Sequence, residues 1–396
     1  MKSPQWLALL GTVAIGAAVA GAWMARRADV VPPPQPVREE APLVSVRREV
    51  PLSEPMAAPV PEAPRAASPG SRLAALNDEA IAALERREYE RAIELFTQCT
   101  EGAPAEPVFR GNLAEAWVRR AVEEHERIRP CEVCVEWLAR AVELAPAREG
   151  LAKLLERWRA ELETEQEFLR DRSVHFELSY DGWRQSLLDA APDVLAELEL
   201  ACADLALVFG LWPGENGARR IPVVLYRREE FARITGLSEW AGGAFDGTIR
   251  VPIAEGRGLD ASLSALLRHE LVHAFVREAS GGDKVPAWLN EGLAQFLAKD
   301  PSRDLAAARK RAAGREGVPL ARLERAFATL PEAEIPFAYA QSLLFVAYLD
   351  RAHGRDSLLA MVRGVREGKS VEASFEAWTR TPLSLAVEDF AAEFAR

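Results

Sequence analysis

Positive charge is in short supply. Lys and Arg number 49 against 60 Asp and Glu, a formal net charge of −11 with a pI near 5.3. That balance excludes nucleic acid, or an anionic membrane surface, as the main partner of the chain. Cysteine is equally sparse, with only Cys99, Cys131, Cys134 and Cys202 present. Cys131-Glu-Val-Cys134 has the spacing of a redox pair or half a zinc site, yet no second such pair accompanies it. A local disulfide or two packing thiols is the reading that remains. Histidine occurs 5 times, so any pattern built from it is informative.

What is abundant is apolar material, 49 % of 396 residues, enough for more than one core and too long a chain for one ordinary domain. A 19-residue uncharged run, Trp6 to Met24, follows the basic start Met1-Lys2. It is long enough to span a bilayer, while Ala18-Val19-Ala20 also fits a cleavage site. Residues 1–28 are therefore expected to export the chain. They would serve as a signal anchor, holding the folded part outside the cytoplasm and contacting the membrane through residues 6–24, or as a signal removed to release a periplasmic or secreted protein. Residues 29–70 carry 11 prolines across positions 30–70, from Pro32-Pro33-Pro34 to Ser68-Pro69-Gly70. Such a stretch cannot bury a core and reads as an extended tether.

Residues 71–168 show a helical period throughout. Ala80, Leu84, Tyr89, Ala92 and Phe96 have the small and aromatic spacing of packed helical hairpins. Asn77 to Ala80 is echoed by Asn112 to Ala116 about one 34-residue step later. This resembles degenerate tetratricopeptide repeats, and the resemblance implies a scaffold for contact with a protein partner. A plain helical bundle is the alternative.

From Ser173 the period changes to two. Val174, Phe176, Leu178 and Tyr180 alternate with polar residues, which predicts a half-buried strand with His175 on its solvated face. A helix from Pro192 to Phe209, strands at Ile221–Tyr226 and Thr248–Ile253, and helices from Asp260 onward predict an α+β domain over residues 171–396.

The chemistry centres on His269-Glu-Leu-Val-His273, expected on a helix capped by Asp260 or Ser262. Residues four apart share a helix face, so both imidazoles can reach one ion. A catalytic zinc takes three protein ligands and keeps a fourth position open. Glu270 is placed to take a proton from water held there. After a turn at Gly281-Gly282-Asp283 comes Trp288-Leu-Asn-Glu-Gly292; 17 residues separate His273 from Glu291, and the turn lets the second helix bring Glu291 back toward the histidine pair.

His-Glu-x-x-His followed by Trp-Leu-Asn-Glu-Gly resembles the gluzincin metallopeptidases, the zinc aminopeptidases above all. The resemblance implies a thermolysin-like zincin catalytic domain acting on a peptide or protein substrate. It implies Zn2+ bound by His269, His273 and Glu291, with Glu270 as general base. Trp288, Leu289 and Phe296 read as packing. The related families carry an oxyanion donor on a later helix, for which Tyr339 is the candidate here, ahead of Tyr348 and His353. They also place an edge strand before the zinc helix. Thr248–Ile253 is expected to fill that role, presenting Ile249 and Val251 to an extended substrate, with Gly242 and Gly243 leaving room for its backbone. Two departures stand out. The amine-capturing glutamate of the aminopeptidases is replaced by Gly242-Gly-Ala-Phe-Asp-Gly247, which points to internal cleavage. The aspartate that steadies a histidine in thermolysin-like enzymes is Gln295 here, and no other acceptor is evident. The competing reading is a zinc-binding interaction protein that cleaves nothing.

Overall fold

The computed structural model describes residues 69–214, 219–235, 244–253, 258–282, 285–298, 301–325, 327, 330–331 and 333–394. The chain divides after Gln166 into two compact units.

Among its described residues, the first unit has helices alone: α1 (Pro69–Glu85), α2 (Tyr89–Gly102), α3 (Pro107–Arg127), α4 (Glu132–Leu144) and α5 (Glu149–Glu165). Consecutive helices pack on one another. Small alanines permit close approach, and Ala80, Ala83, Ala92 and Ala116 form one core with Phe96. Asn77 and Asn112, the two positions related by the sequence echo, meet directly; the Asn112 amide donates to Asn77 Oδ1 at 2.9 Å. Cys131 and Cys134 form a disulfide at the start of α4, inside a second core with Leu138, Ala141 and Trp158. Pro69 and Gly70, expected at the end of the tether, sit in the first turn of α1, where proline lacks no needed N–H.

The expectation of a membrane anchor is corrected. No helix among the described residues is long and apolar enough to cross a bilayer. Residues 6–24, on which that expectation rested, lie outside the described residues, so nothing structural supports a spanning segment.

The described residues of the second unit are mixed and mostly helical, with one small five-stranded sheet. Its strands are β1 (Leu169–Arg172), β2 (Phe176–Tyr180), β3 (Ile221–Tyr226), β4 (Ala244–Phe245) and β5 (Ile249–Pro252), in the order β1-β2-β3-β5-β4. The β2–β3 and β3–β5 ladders are parallel, and the outer pairs are antiparallel. The long helix α6 (Gln185–Phe209) covers the sheet with Leu187, Ala191, Val194, Leu198 and Leu205. It begins seven residues before Pro192, the start expected from sequence. Proline at that point forfeits one helical hydrogen bond, but burying Leu187, Ala190 and Ala191 outweighs that loss. A short helix, α7 (Arg228–Thr235), follows β3.

Two sequence readings change here. His175 is not solvated. Its ring is half-buried, stacks on Trp212 with centroids 4.5 Å apart, and places Nδ1 2.7 Å from Glu199. The segment Thr248–Ile253 is not an edge. β5 lies between β3 and β4, and every residue from Ile249 to Pro252 is buried. Pro252 is the last residue of β5, where its missing N–H costs the sheet little, and the hydrogen bond to β3 at this level comes from Ile253 N–H, which donates to Tyr226 O at 2.8 Å.

The remaining helices are α8 (Ala261–Ala279), α9 (Ala287–Phe296), α10 (Pro301–Ala312), α11 (Ile335–His353), α12 (Arg355–Arg366), α13 (Val371–Thr379) and α14 (Leu383–Phe394). Those that matter for the site are α8, α9 and α11. The α9–α11 contact is unusually close at Gly292. A Cβ there would lie 2.5 Å from Val346 Cγ2 and 2.7 Å from the Ser342 carbonyl. Gly292→Ala should therefore force the helices apart and lower stability by about 1–3 kcal/mol, as overpacking does. A denaturant midpoint unchanged from wild type would show that the two helices adjust freely.

A candidate metal centre

Helix α8 starts where expected, with Asp260 Oδ1 accepting from Leu263 N–H at 2.8 Å. Its apolar side chains are buried nearly all round, through Leu263, Leu267, Leu271, Val272, Phe275 and Val276. Such a helix cannot rotate or slide without exposing core, so His269, Glu270 and His273 are held at fixed depth. It ends at Gly281 and Gly282, with φ of 72° and 89°, a left-handed pair that suits glycine and reverses the chain. Helix α9 is then pinned at its start by Ala287 N–H donating to Glu324 O at 3.0 Å. Trp288, Leu289 and Leu293 anchor it in the same core.

The hairpin brings together the three side chains expected from the motif. His269 Nε2 and His273 Nε2 are 3.3 Å apart, His273 Nε2 is 3.6 Å from Glu291 Oε1, and His269 Nε2 is 3.7 Å from Glu291 Oε2. Donors about 2.0–2.2 Å from a tetrahedral ion lie roughly 3.3–3.6 Å from one another, so the set fits zinc within a few tenths of an ångström. Its composition of two imidazoles and one carboxylate also suits that ion. Among the described residues this is the one cluster of His, Cys, Asp or Glu side chains close enough to share a metal. Glu291 and His273 are buried and His269 is partly exposed, so the cluster opens toward solvent on the His269 side.

Glu270 is 4 % exposed. Burial pushes its carboxyl up to about 7, the nearby Glu291 adds to the rise, and His273 opposes it. A carboxyl in that range can accept a proton and release it again near neutral pH.

The acceptor that could not be named from sequence is Asn290. His273 Nδ1–H donates to Asn290 Oδ1 at 3.0 Å, which orients the ring with Nε2 turned toward the cluster. Asn290 lies one residue before Glu291, so a single turn of α9 supplies both a candidate ligand and the support for another. Its place inside Trp-Leu-Asn-Glu-Gly was the signal available in the sequence. Asn290→Ala should weaken the binding of added zinc about 10–100-fold while leaving all three candidate ligands in place. Chelator competition measures this, and an unchanged affinity would mean that His273 is oriented by packing alone.

The other expected residues fall out differently. The Tyr339 ring is half-buried on α11 and meets Phe327 edge-on, with centroids 5.0 Å apart. Tyr348 packs among Phe345 and Phe390, and His353 packs edge-on to Phe375, so both belong to an aromatic cluster further along α11. Ile249 and Val251 are 0 % exposed and contribute to the core, not to a substrate surface. Gly242 and Gly243 lie outside the described residues.

A family model described as the Peptidase MA superfamily matches residues 218–381. The matched stretch contains His269, Glu270, His273, Asn290, Glu291 and Tyr339, and it supports a zincin-like peptidase domain here. Among curated proteins, the heat-shock protein cognate co-chaperone sgt12 of Aspergillus fumigatus is 39 % identical over 64 residues, 16 % of this chain and 18 % of that protein. The chain thus spans less than a fifth of that relative's length.

Proposed function

We propose that the chain is a zinc-dependent peptidase that cleaves peptide bonds internally, with His269, His273 and Glu291 as metal ligands. The observation that carries this reading is the convergence of those three donors at 3.3–3.7 Å beside a buried carboxyl, Glu270. Zinc bound there supplies a Lewis acid that acidifies water and polarises a carbonyl. Glu270 accepts the proton of the attacking water and passes it to the departing amine. Asn290 keeps His273 in the tautomer that offers Nε2 inward. The Tyr339 hydroxyl is the proposed donor to the oxyanion that develops on the scissile carbonyl.

Internal cleavage is supported by the segment that stands where the resembling aminopeptidases capture a free amine: its one acid, Asp246, is already paired with the buried Arg250. Because β5 is interior, the edge strand on this side among the described residues is β4, at Ala244–Phe245, and it is the proposed place for an extended peptide. Edge pairing uses backbone groups and tolerates varied side chains. N-terminally acetylated peptides should therefore be cut about as well as free ones in a peptide-library digest read by mass spectrometry. Sequential loss of single N-terminal residues, with acetylated peptides untouched, would overturn the internal mode.

The second reading keeps the metal but not the reaction, making the chain a zinc-binding scaffold whose tetratricopeptide-like helices engage a protein. It draws on the Asn77–Asn112 contact, which joins positions one repeat step apart. Glu270 favours the enzyme, because a purely structural zinc site has no use for a buried carboxyl that binds no metal.

A further inference from the structure

Gln295 stands where the resembling enzymes carry an aspartate directed at a histidine, yet its side chain does something else. Its amide nitrogen lies 3.2 Å from the Glu291 carbonyl oxygen and 3.1 Å from the Tyr339 carbonyl oxygen. Both neighbours are acceptors, so the orientation of the amide is unambiguous: the NH2 group faces them and donates to each. One side chain thereby joins the turn of α9 that bears a candidate metal ligand to the turn of α11 that bears the candidate oxyanion donor. Helix α11 approaches that same stretch of α9 closely enough that Gly292 admits no Cβ beside Ser342 O. The two helices are in register at this level, and Gln295 is a directional link across them. The start of α11 is also held by an apolar contact, Phe327 against the Tyr339 ring, which sets distance but not rotation.

We infer that Gln295 is a positioning residue that fixes the rotation and height of Tyr339 relative to the metal ligand Glu291. The inference rests on the peptidase reading above. An aspartate at position 295 could not do this, because an ionised carboxylate donates nothing and would face two carbonyl oxygens. Glutamine in place of aspartate thus goes with a different division of roles, in which Asn290 supports a histidine and residue 295 supports the helix of Tyr339.

The test is a double-mutant cycle on the full chain with zinc bound. Gln295→Met keeps the length and volume of the side chain and removes both donors. Its kcat on a peptide substrate should fall about tenfold with KM little changed, and its zinc affinity by chelator competition should stay within about threefold of wild type. In a Tyr339→Phe background the same substitution should cost almost nothing further, because its effect runs through the Tyr339 hydroxyl. Gln295→Glu, which keeps the shape and loses the donor, repeats the test if the methionine variant does not fold. Equal losses in the two backgrounds, or an unchanged kcat in a folded variant, would overturn the inference while leaving the peptidase reading intact. A wild-type protein that binds zinc but cleaves no peptide would instead overturn the peptidase reading, and this inference with it.

Discussion

Alanine at His269, His273 or Glu291 is expected to strip the protein of its zinc. Purified wild type should carry about one ion per chain, since three donors of suitable type lie at the edge lengths of a tetrahedral site. Removing one leaves two donors and a second open position, and the loss should exceed the 10–100-fold typical of an outer supporting residue. The three variants should nonetheless differ in stability. His269 is the most exposed of the three, so its loss should leave the smallest void. Glu291 is 1 % exposed between α8 and α11, so its truncation should also loosen the fold. Metal content by elemental analysis, with thermal melts as the control for folding, decides the matter. Full zinc retention in all three variants would place the metal elsewhere.

The second large effect belongs to Glu270→Gln, which should separate binding from turnover. The substitution removes a proton acceptor and no ligand, so zinc should be retained while peptide hydrolysis falls by about two to four orders of magnitude. An unchanged rate would move the general base to another residue. The same variant should behave oppositely in the metal-free protein. Burial raises the Glu270 carboxyl from 4.5 to about 7 in the folded chain, so the folded state binds more protons than the unfolded one across that interval. Stability then falls as pH rises from about 4.5 to 7, and above that window the ionised carboxylate costs on the order of 3 kcal/mol. Glutamine cannot ionise and escapes that penalty. Denaturant melts of the metal-free proteins should show Glu270→Gln gaining on wild type as pH rises through this window, with little difference below it. A gap independent of pH would mean that Glu270 is solvated or compensated in solution. The combination of lost turnover and gained metal-free stability is what a buried group kept for chemistry should show.

The legibility of this chain in its sequence was uneven, and the unevenness has physical causes. Spacing within a helix is set by the helix itself, so His269, Glu270 and His273 could be placed relative to one another without a structure. The Gly281-Gly282 turn and the apolar start of α9 were local signals too, and they sufficed to bring Glu291 back toward the pair. The all-helical character of residues 71–168 followed from periodicity alone, as did the strands near 176–180 and 221–226.

Strand order was not accessible in this way, because pairing partners are chosen by global packing and not by local composition. A proline suggested that Thr248–Ile253 was an edge, yet the preceding Ala244–Phe245 folds back as β4 and covers it. Ile249 and Val251 consequently became core. Helix α6 ran through Pro192 because the sheet offered enough apolar surface to hold seven more residues. His175 found Glu199 and Trp212 across a gap of more than twenty residues, which no alternation pattern reports. The supports of the metal centre belong to the same class. Asn290 and Gln295 were visible as letters, but what each one touches depends on how α8, α9 and α11 pack. By itself the sequence determined which side chains could share a helix face, since that geometry repeats every 3.6 residues. Only the tertiary structure decided which faces meet, because that choice is made by burying apolar surface across the whole unit at once.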